Sequence, residues 1–142
     1  MIGAFTRQKK SSLAQDKALE VLRFTGLWEA RDAEAGSLPI ASQKRLELAK
    51  ALATEPQLLL LDEVMAGLTA TEIATVLSII KKINEAGITL ILIEHVMHAV
   101  MSIADSILVL HHGEKIAEGN PRQITEDKRV IDAYLGEDFN LV

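Results

Sequence analysis

Ionisable side chains follow two apolar segments of this sequence, at the point where each segment ends. Asp62-Glu63 come directly after Leu58–Leu61, and Glu94-His95 come directly after Thr89–Ile93. Short, nearly continuous apolar segments are typical of strands in a parallel sheet. Because ligands bind at the carboxyl ends of such strands, the pattern indicates a site at these two strand ends.

Three of these four residues have the chemistry of a phosphate site. An aspartate at a strand end, here Asp62, is well placed to hold Mg²⁺ directly or through water. The neighbouring Glu63 can polarise an attacking water, and His95 can contact a terminal phosphate. Acidic residues also end many strands simply because strands end at the surface. Two such ends, separated by one helix, favour the phosphate site over that explanation.

The apolar periodicity predicts the elements that must position these side chains. Leu58–Leu61 is apolar at every position, as expected of a central strand buried on both faces. Thr69 and Glu72 have the spacing of a capping box, so a helix should run from there to about Ala86. Gly87 suits the left-handed residue that follows such a helix.

Helices precede this strand, and further strands follow it. The other predicted helices span Ser11 or Ser12 to about Phe24, Ser42–Thr54, Val96–Ala104 and Lys128–Leu135, and the other predicted strands span Thr89–Ile93, Ser106–Leu110 and Lys115–Ala117. The alternation of strands and helices after Leu58 predicts an α/β fold, with a parallel sheet, a right-handed crossover and an antiparallel edge.

Composition and charge exclude several classes of function. The 142 residues are 49% hydrophobic and 25% charged, which is typical of one globular domain. The formal net charge of −5 gives no sign of a nucleic-acid-binding surface. The chain has no cysteine, which excludes disulfides and cysteine-ligated metals. Its longest apolar runs are far too short to span a bilayer, so direct membrane insertion is not expected.

The two strand ends resemble those of the ATPase subunit of ABC transporters. The sequence LLLLDE at Leu58–Glu63 is similar to the Walker B strand of that family, and Glu94-His95 is similar to its switch region. The resemblance implies that Asp62 is the magnesium-associated acid and Glu63 the general base. It also implies that His95 is the histidine that senses the γ-phosphate of ATP.

Two further segments resemble family motifs that act at the interface with a second ATPase subunit. The D-loop is matched by Ala66, Gly67 and Leu68, followed by Thr69. The place of the signature motif is occupied by Leu38, Pro39, Ile40, Ala41 and Ser42, which we expect to form a loop before the helix that starts at about Ser42. In the family this loop grips the partner's ATP in trans. The free N–H groups and the dipole of a helix N-terminus suit that role.

The tail narrows the resemblance to one subfamily. The segment Gly113–Gly136 is similar to the C-terminal extension of branched-chain amino-acid (LivG-type) ATPases, and so is RLELAKALATEPQLLLLDE. The resemblance covers roughly Ala18 to Gly136. It implies a partial P-loop NTPase fold with helices on both faces of the sheet. The implied divisions are a helical subdomain fragment at residues 1–55, an α/β core at 56–119 and a C-terminal extension at 120–142.

The same resemblance implies the cofactors, partners and location. ATP and Mg²⁺ would be the cofactors. Membrane permease subunits and a second ATPase subunit, in a homo- or heterodimer, would be the partners. The parent protein would lie in the cytoplasm, on the inner face of the plasma membrane.

The sequence departs from the family pattern at several positions. No G-x-x-x-x-G-K-[ST] loop occurs in the chain, so it looks like the C-terminal portion of a longer cassette. The glycine and glutamine expected in the signature are Ala41 and Ser42. Val64 replaces the proline that normally follows the general base, and Val96 replaces the aspartate that often follows the switch histidine.

These departures bear on activity and on stability. Phosphoryl transfer depends mostly on positioning and charge stabilisation, so we expect the isolated chain neither to bind ATP tightly nor to hydrolyse it. In the parent fold a P-loop strand would lie beside the strands present here. We therefore expect an exposed sheet edge and an apolar patch, and hence aggregation or pairing.

Three hypotheses about function remain open at this point. The chain can be part of the ATP-binding subunit of a branched-chain amino-acid importer. It can instead be a non-catalytic remnant or interaction module that docks a permease or a cassette partner. The third hypothesis is a non-transport ABC ATPase, against which the net charge and the LivG-like tail both argue.

Overall fold

The computed structural model describes residues 11–135, which form two compact units with the boundary between Val96 and Met97. The first unit contains α1 (Ser11–Phe24), α2 (Ile40–Leu52), β1 (Leu58–Asp62), α3 (Ala70–Glu85) and β2 (Thr89–Ile93), with short 3-10 turns at Trp28–Ala30 and Ala35–Ser37. The second contains α4 (Met97–Ile103), β3 (Ile107–His111), β4 (Glu114–Gly119), α5 (Pro121–Glu126) and α6 (Lys128–Val130), which continues as a π-helical turn at Ile131–Leu135.

Helix α1 ends as the sequence predicts. Ala14 and Val21 are buried on one of its faces, at helical spacing. After the last turn, Thr25 is buried and its hydroxyl donates to the carbonyl of Val21 at 2.9 Å. Gly26 follows with φ of +69°, a conformation that glycine adopts without steric cost. The chain can therefore reverse towards the next segment.

Helix α2 begins at Ile40, which corrects the prediction of a loop as far as Ser42. Pro39 is the N-cap, with φ of −55° and ψ of 151°, and its carbonyl accepts from the N–H groups of Ser42 and Gln43 at 2.8 and 3.0 Å. A proline at the start of a helix sacrifices no hydrogen bond, because the first N–H groups of a helix have no intrahelical acceptor. Ile40, Ala41 and Ser42 therefore lie in the first turn of α2.

Strands β1 and β2 pair in parallel, as predicted, in the register Leu58 with Thr89 through to Asp62 with Ile93. The expectation that β1 is buried on both faces is wrong. Leu59 and Leu61 are 6% and 5% exposed, whereas Leu58 and Leu60 are 47% and 64% exposed. The cause is geometrical: successive side chains of a strand point to opposite faces, and a β–α–β crossover lays its helix over only one face.

Helix α3 carries the capping box that its sequence predicts. The side chain of Thr69 accepts from the N–H of Glu72, and the side chain of Glu72 accepts from the N–H of Thr69 at 2.8 Å. Its apolar stripe is buried at Val76, Ile79, Ile80 and Ile83. Gly87 then closes the helix with φ of +89°.

The second unit is built on an antiparallel hairpin. β3 and β4 pair through a turn at His112 and Gly113, both with positive φ, and the register shifts between Val109 and Leu110. Within residues 11–135, β3 forms ladder hydrogen bonds with β4 and with no other strand. The core of this unit consists of Ala117, Ile124 and Val130, against which Met101, Ile107, Val109 and Ile116 pack.

The parallel pair and the antiparallel hairpin confirm the predicted mixture of α/β and hairpin elements. Asn120 and Gln123 form a second capping box at the start of α5, where Pro121 opens the helix. Among the described residues, no helix is both long enough and apolar enough to cross a membrane.

Candidate functional site

The carboxyl ends of β1 and β2 bring the predicted acid and base residues together. The N–H of Glu63 donates to the carbonyl of Ile93 at 2.9 Å, which extends the parallel ladder by one bond beyond Asp62. Glu63 and His95 then lie next to each other, with 3.6 Å between a carboxylate oxygen and Nδ1 of the imidazole. The side chains of both residues are more than half exposed. An incoming substrate can therefore reach both of them.

The backbone of Glu63 is held in a strained conformation. Its φ is +47°, in the left-handed region that non-glycine residues seldom adopt. Such a residue costs on the order of 1–3 kcal/mol and persists only when its surroundings fix it. Here two contacts fix it: its N–H donates to β2, and its carbonyl accepts from Nζ of Lys44 at 3.3 Å. Strain at a residue of this chemistry is typical of functional sites.

Asp62 stands apart from these contacts. It is exposed at the last position of β1, and its carboxylate has no hydrogen bond or ion pair with the described residues. A single carboxylate with free oxygens fits Mg²⁺, which proteins usually hold with one or two carboxylates, waters and the phosphates of the substrate. Residues 11–135 contain no cluster of three or more acidic or histidine side chains that could bind a metal without such a substrate.

The residues that match the D-loop form a turn between Glu63 and the cap of α3. Ala66 donates to the carbonyl of Glu63 at 3.2 Å, and Leu68 donates to that of Met65 at 3.2 Å. Gly67 has φ of +76°, which the reversal of the chain requires at this point. Met65 is 1% exposed and anchors the turn.

The residues that match the signature motif lie at the start of α2, where the helix has no side-chain cap. Ile40 is 55% exposed. Its Cδ1 lies close to Gly67: a Cβ atom added to that glycine would be 4.0 Å away from it. Ala41 is buried, so its methyl group points into the unit. Gln43 donates its side-chain amide to the carbonyl of Leu38 at 2.7 Å, which holds the segment before the helix.

The structure therefore brings the signature segment and the D-loop turn into one region. Ile40 approaches Gly67, and Lys44 from the second turn of α2 reaches the carbonyl of Glu63. No role for Lys44 was predicted from the sequence. No motif distinguishes this lysine from a solvated one, because its acceptor is a backbone carbonyl 19 residues away along the chain.

Comparison with known proteins shows which solved structures this arrangement resembles. The fold matches the ADP conformation of an ATP-binding cassette of an ABC transporter, with a TM-score of 0.82, 30% identity, and coverage of 90% of this chain and 52% of that one. It also matches CbiO1 of Clostridium perfringens, part of the ABC transporter complex CbiONQ, with a TM-score of 0.79, 28% identity, and coverage of 92% and 53%. The chain is thus similar to part of the ATP-binding cassettes of ABC transporters.

Within that class, the similarity is to cassettes for branched-chain amino acids. Residues 114–140 match a family model described as a branched-chain amino acid ATP-binding cassette transporter. The chain is 41% identical over 135 residues to the branched-chain amino acid transport ATP-binding protein BraF of Pseudomonas aeruginosa, covering 94% of this chain and 52% of BraF. It is 40% identical over 131 residues to LivG of Escherichia coli, covering 92% and 51%. The chain therefore spans about half the length of these curated relatives.

A cassette from another transport system is also similar, at lower identity. The lipopolysaccharide export ATP-binding protein LptB of Escherichia coli is 31% identical over 127 residues, covering 89% of this chain and 53% of LptB. The match at residues 114–140 is the part that indicates the branched-chain type.

Proposed function

We propose that this chain supplies the acid–base and interface residues of an ATP-binding subunit in a branched-chain amino-acid ABC importer. The observation that carries the proposal is the pairing of β1 and β2, which places Asp62, Glu63 and His95 at one edge of the sheet. The match to the branched-chain family model at residues 114–140 supports the substrate class.

In the proposed reaction, each strand-end residue has a separate task. Asp62 would hold Mg²⁺, which neutralises charge on the phosphates when bound. Glu63 would accept a proton from the attacking water, and its exposed carboxylate is accessible for that purpose. His95, adjacent to Glu63, would orient towards the γ-phosphate. Hydrolysis would then release ADP and inorganic phosphate.

The signature segment and the D-loop turn would face a second ATPase subunit. The segment Leu38–Ser42, which leads into α2 where no side chain caps the helix, would approach the partner's ATP in trans. Ala66, Gly67 and Leu68 would contribute the adjoining surface, which the approach of Ile40 to Gly67 supports. Permease subunits would bind the assembled pair at the inner face of the plasma membrane.

The chain contains no phosphate-binding loop of the G-x-x-x-x-G-K-[ST] type, so the isolated protein should neither bind ATP tightly nor hydrolyse it. The test is a comparison of two samples. One is the 142-residue chain alone, and the other is the chain mixed with the half of BraF that this chain does not match. Phosphate release should be at background in the first sample and above background in the second.

Two variants control that experiment. Glu63→Gln should lower the rate of phosphate release by the mixture by a factor of about 10² to 10⁴, because the general base is removed while the size of the side chain is kept. Glu85→Gln, at an exposed position at the end of α3, should leave it unchanged. ATP turnover by the pure chain alone, or a Glu63→Gln mixture as active as the wild type, would contradict the proposal.

A non-catalytic docking module is the second candidate. The observation that favours it is the departure of the signature from the family pattern, with Ala41 and Ser42 where glycine and glutamine are usual. The same mixing experiment separates the two candidates. A stable complex with no ATP turnover under any condition supports the module, whereas turnover that depends on Glu63 supports the ATPase subunit.

A further inference from the structure

Glu94 is the one strand-end residue to which the proposed reaction gives no task. It lies between Ile93, the last residue of β2, and His95. Glu94 is half-buried, whereas Asp62 and Glu63 are exposed. One of its oxygens, Oε2, is fully buried. A glutamate with a buried carboxylate oxygen beside a reactive edge requires an explanation.

The other carboxylate oxygen of Glu94 makes a long-range hydrogen bond. The backbone N–H of Met65 donates to Oε1 of Glu94 at 2.8 Å, across 29 residues of sequence. Met65 is 1% exposed, so no solvent is at hand to replace this acceptor. A buried N–H group that loses its acceptor costs free energy, because no other partner replaces it. The contact therefore fixes the turn two residues after Glu63.

This bond is one of several that join the ends of the two strands. The N–H of Glu63 donates to the carbonyl of Ile93 at 2.9 Å, and the carboxylate of Glu63 lies 3.6 Å from His95. The bond from Met65 to Glu94 is the only one of the three in which a side chain from β2's end holds the backbone of the turn. It holds that turn on the far side of the strained residue Glu63.

We propose that Glu94 is a positioning residue: by holding the N–H of Met65, it keeps Glu63 in its left-handed conformation and within reach of His95. Glu94 touches neither substrate nor water in this role and acts only through Glu63. Glu94 and His95 are consecutive. The same backbone segment therefore positions the imidazole of His95 and the carboxylate that holds the turn after Glu63. The proposal rests on the ATPase function proposed above for Glu63 and His95.

The first test measures the hydrogen bond between Met65 and Glu94 and requires no ATPase activity. Amide hydrogen exchange of the turn from Glu63 to Leu68 is followed in the full 142-residue chain for wild type, Glu94→Ala and Glu94→Gln. The amide of Met65 should exchange about tenfold faster or more in Glu94→Ala, because its buried acceptor is lost. Glu94→Gln should recover most of the protection, since its side-chain carbonyl can still accept. Unchanged exchange in Glu94→Ala would overturn the proposal.

The second test separates positioning from a merely structural role. In the mixture with the unmatched half of BraF, Glu94→Ala should lower kcat by about tenfold or more and leave the KM for ATP unchanged. Glu94→Gln should restore much of kcat. Glu85→Ala is the matched control and should change neither constant. If exchange accelerates while kcat stays at the wild-type value, the glutamate holds the turn without positioning Glu63, and the proposal is wrong.

These two tests also keep the present proposal distinct from the proposed function. An inactive wild-type mixture would count against the ATPase function and against any positioning role in it. The exchange measurement would in that case still decide whether the hydrogen bond from Met65 to Glu94 holds the turn.

Discussion

The two faces of the β1–β2 sheet have nearly the same composition and opposite surroundings. On one face, Leu59 and Leu61 are 6% and 5% exposed. On the other, Leu58 and Leu60 of the same strand are 47% and 64% exposed. A run of four identical residues therefore contains both core and surface. The difference shows that the burial of a side chain depends on what lies over its face, and not on its own hydrophobicity alone.

The exposed face leads directly into the candidate site. Asp62 lies on the same side of β1 as Leu58 and Leu60, because side chains two residues apart share a face. Across the pair, Ile91 and Ile93 are 49% and 58% exposed. The apolar patch expected from the sequence is therefore present, and it borders the candidate site. Any polypeptide that covers this patch would also lie beside Asp62.

The largest expected effect tests the contrast between the faces directly. Leu61→Ala should lower the free energy of unfolding by about 2–5 kcal/mol, because it leaves a cavity in the buried face. Leu60→Ala, the matched change on the exposed face, should alter it by no more than about 0.5 kcal/mol. Urea denaturation of the two variants measures both values. Similar losses of unfolding free energy in the two variants would contradict the difference in burial between the two faces of β1.

A smaller effect concerns the helix that connects the two strands. Thr69→Ala should destabilise the protein by about 1 kcal/mol, because the side chain of Thr69 accepts from the N–H of Glu72 at the start of α3. Thr69→Ser keeps the hydroxyl and should be nearly neutral. Thr71→Ala, two residues further along the same helix, is the control. If the control lost as much stability as Thr69→Ala, the cap would not be the cause.

The smallest effect is a dependence on pH at the same helix start. The hydrogen bond from the backbone N–H of Thr69, and then that from its hydroxyl, lower the pKa of Glu72. A carboxyl group with a lowered folded-state pKa contributes stability above its unfolded-state pKa of about 4.3, and this contribution is lost as the pH falls through the folded-state value. Glu72→Gln should therefore show a weaker loss of stability on acidification.

Thermal melting of wild type and Glu72→Gln between about pH 6 and about pH 3 measures this difference. The melting temperatures of the two proteins should differ most at the highest pH and converge at the lowest pH. Parallel curves over the whole range would show that Glu72 makes no proton-linked contribution.

The sequence was sufficient for the features that depend on local patterns. The capping box of Thr69 and Glu72, the positive φ of Gly87 and the parallel strands each follow from residue type and spacing. The exposure of Leu60 could not be predicted, because a continuous apolar run is the same whether one face is covered or two. The start of α2 at Ile40 was missed because Pro39 can either precede a loop or cap a helix.

The candidate site also contains residues that could be predicted from the sequence and residues that could not. Asp62, Glu63 and His95 were predicted as site residues from their positions at strand ends, and the pairing of β1 with β2 brings those ends to one edge. The contributions of Lys44 and Glu94 were not found. Each of them contacts a backbone group far away in sequence, and the identity of a backbone acceptor or donor leaves no trace in residue type.

The conformation of Glu63 has a consequence for any attempt to improve this protein. A glycine at position 63 would adopt φ of +47° without steric cost, so Glu63→Gly would relieve strain at the same moment that it removed the carboxylate. Selection for stability alone would thus favour the loss of the group that the proposed chemistry needs. A screen of variants for thermal tolerance alone would therefore favour replacement of Glu63 and loss of the proposed activity together.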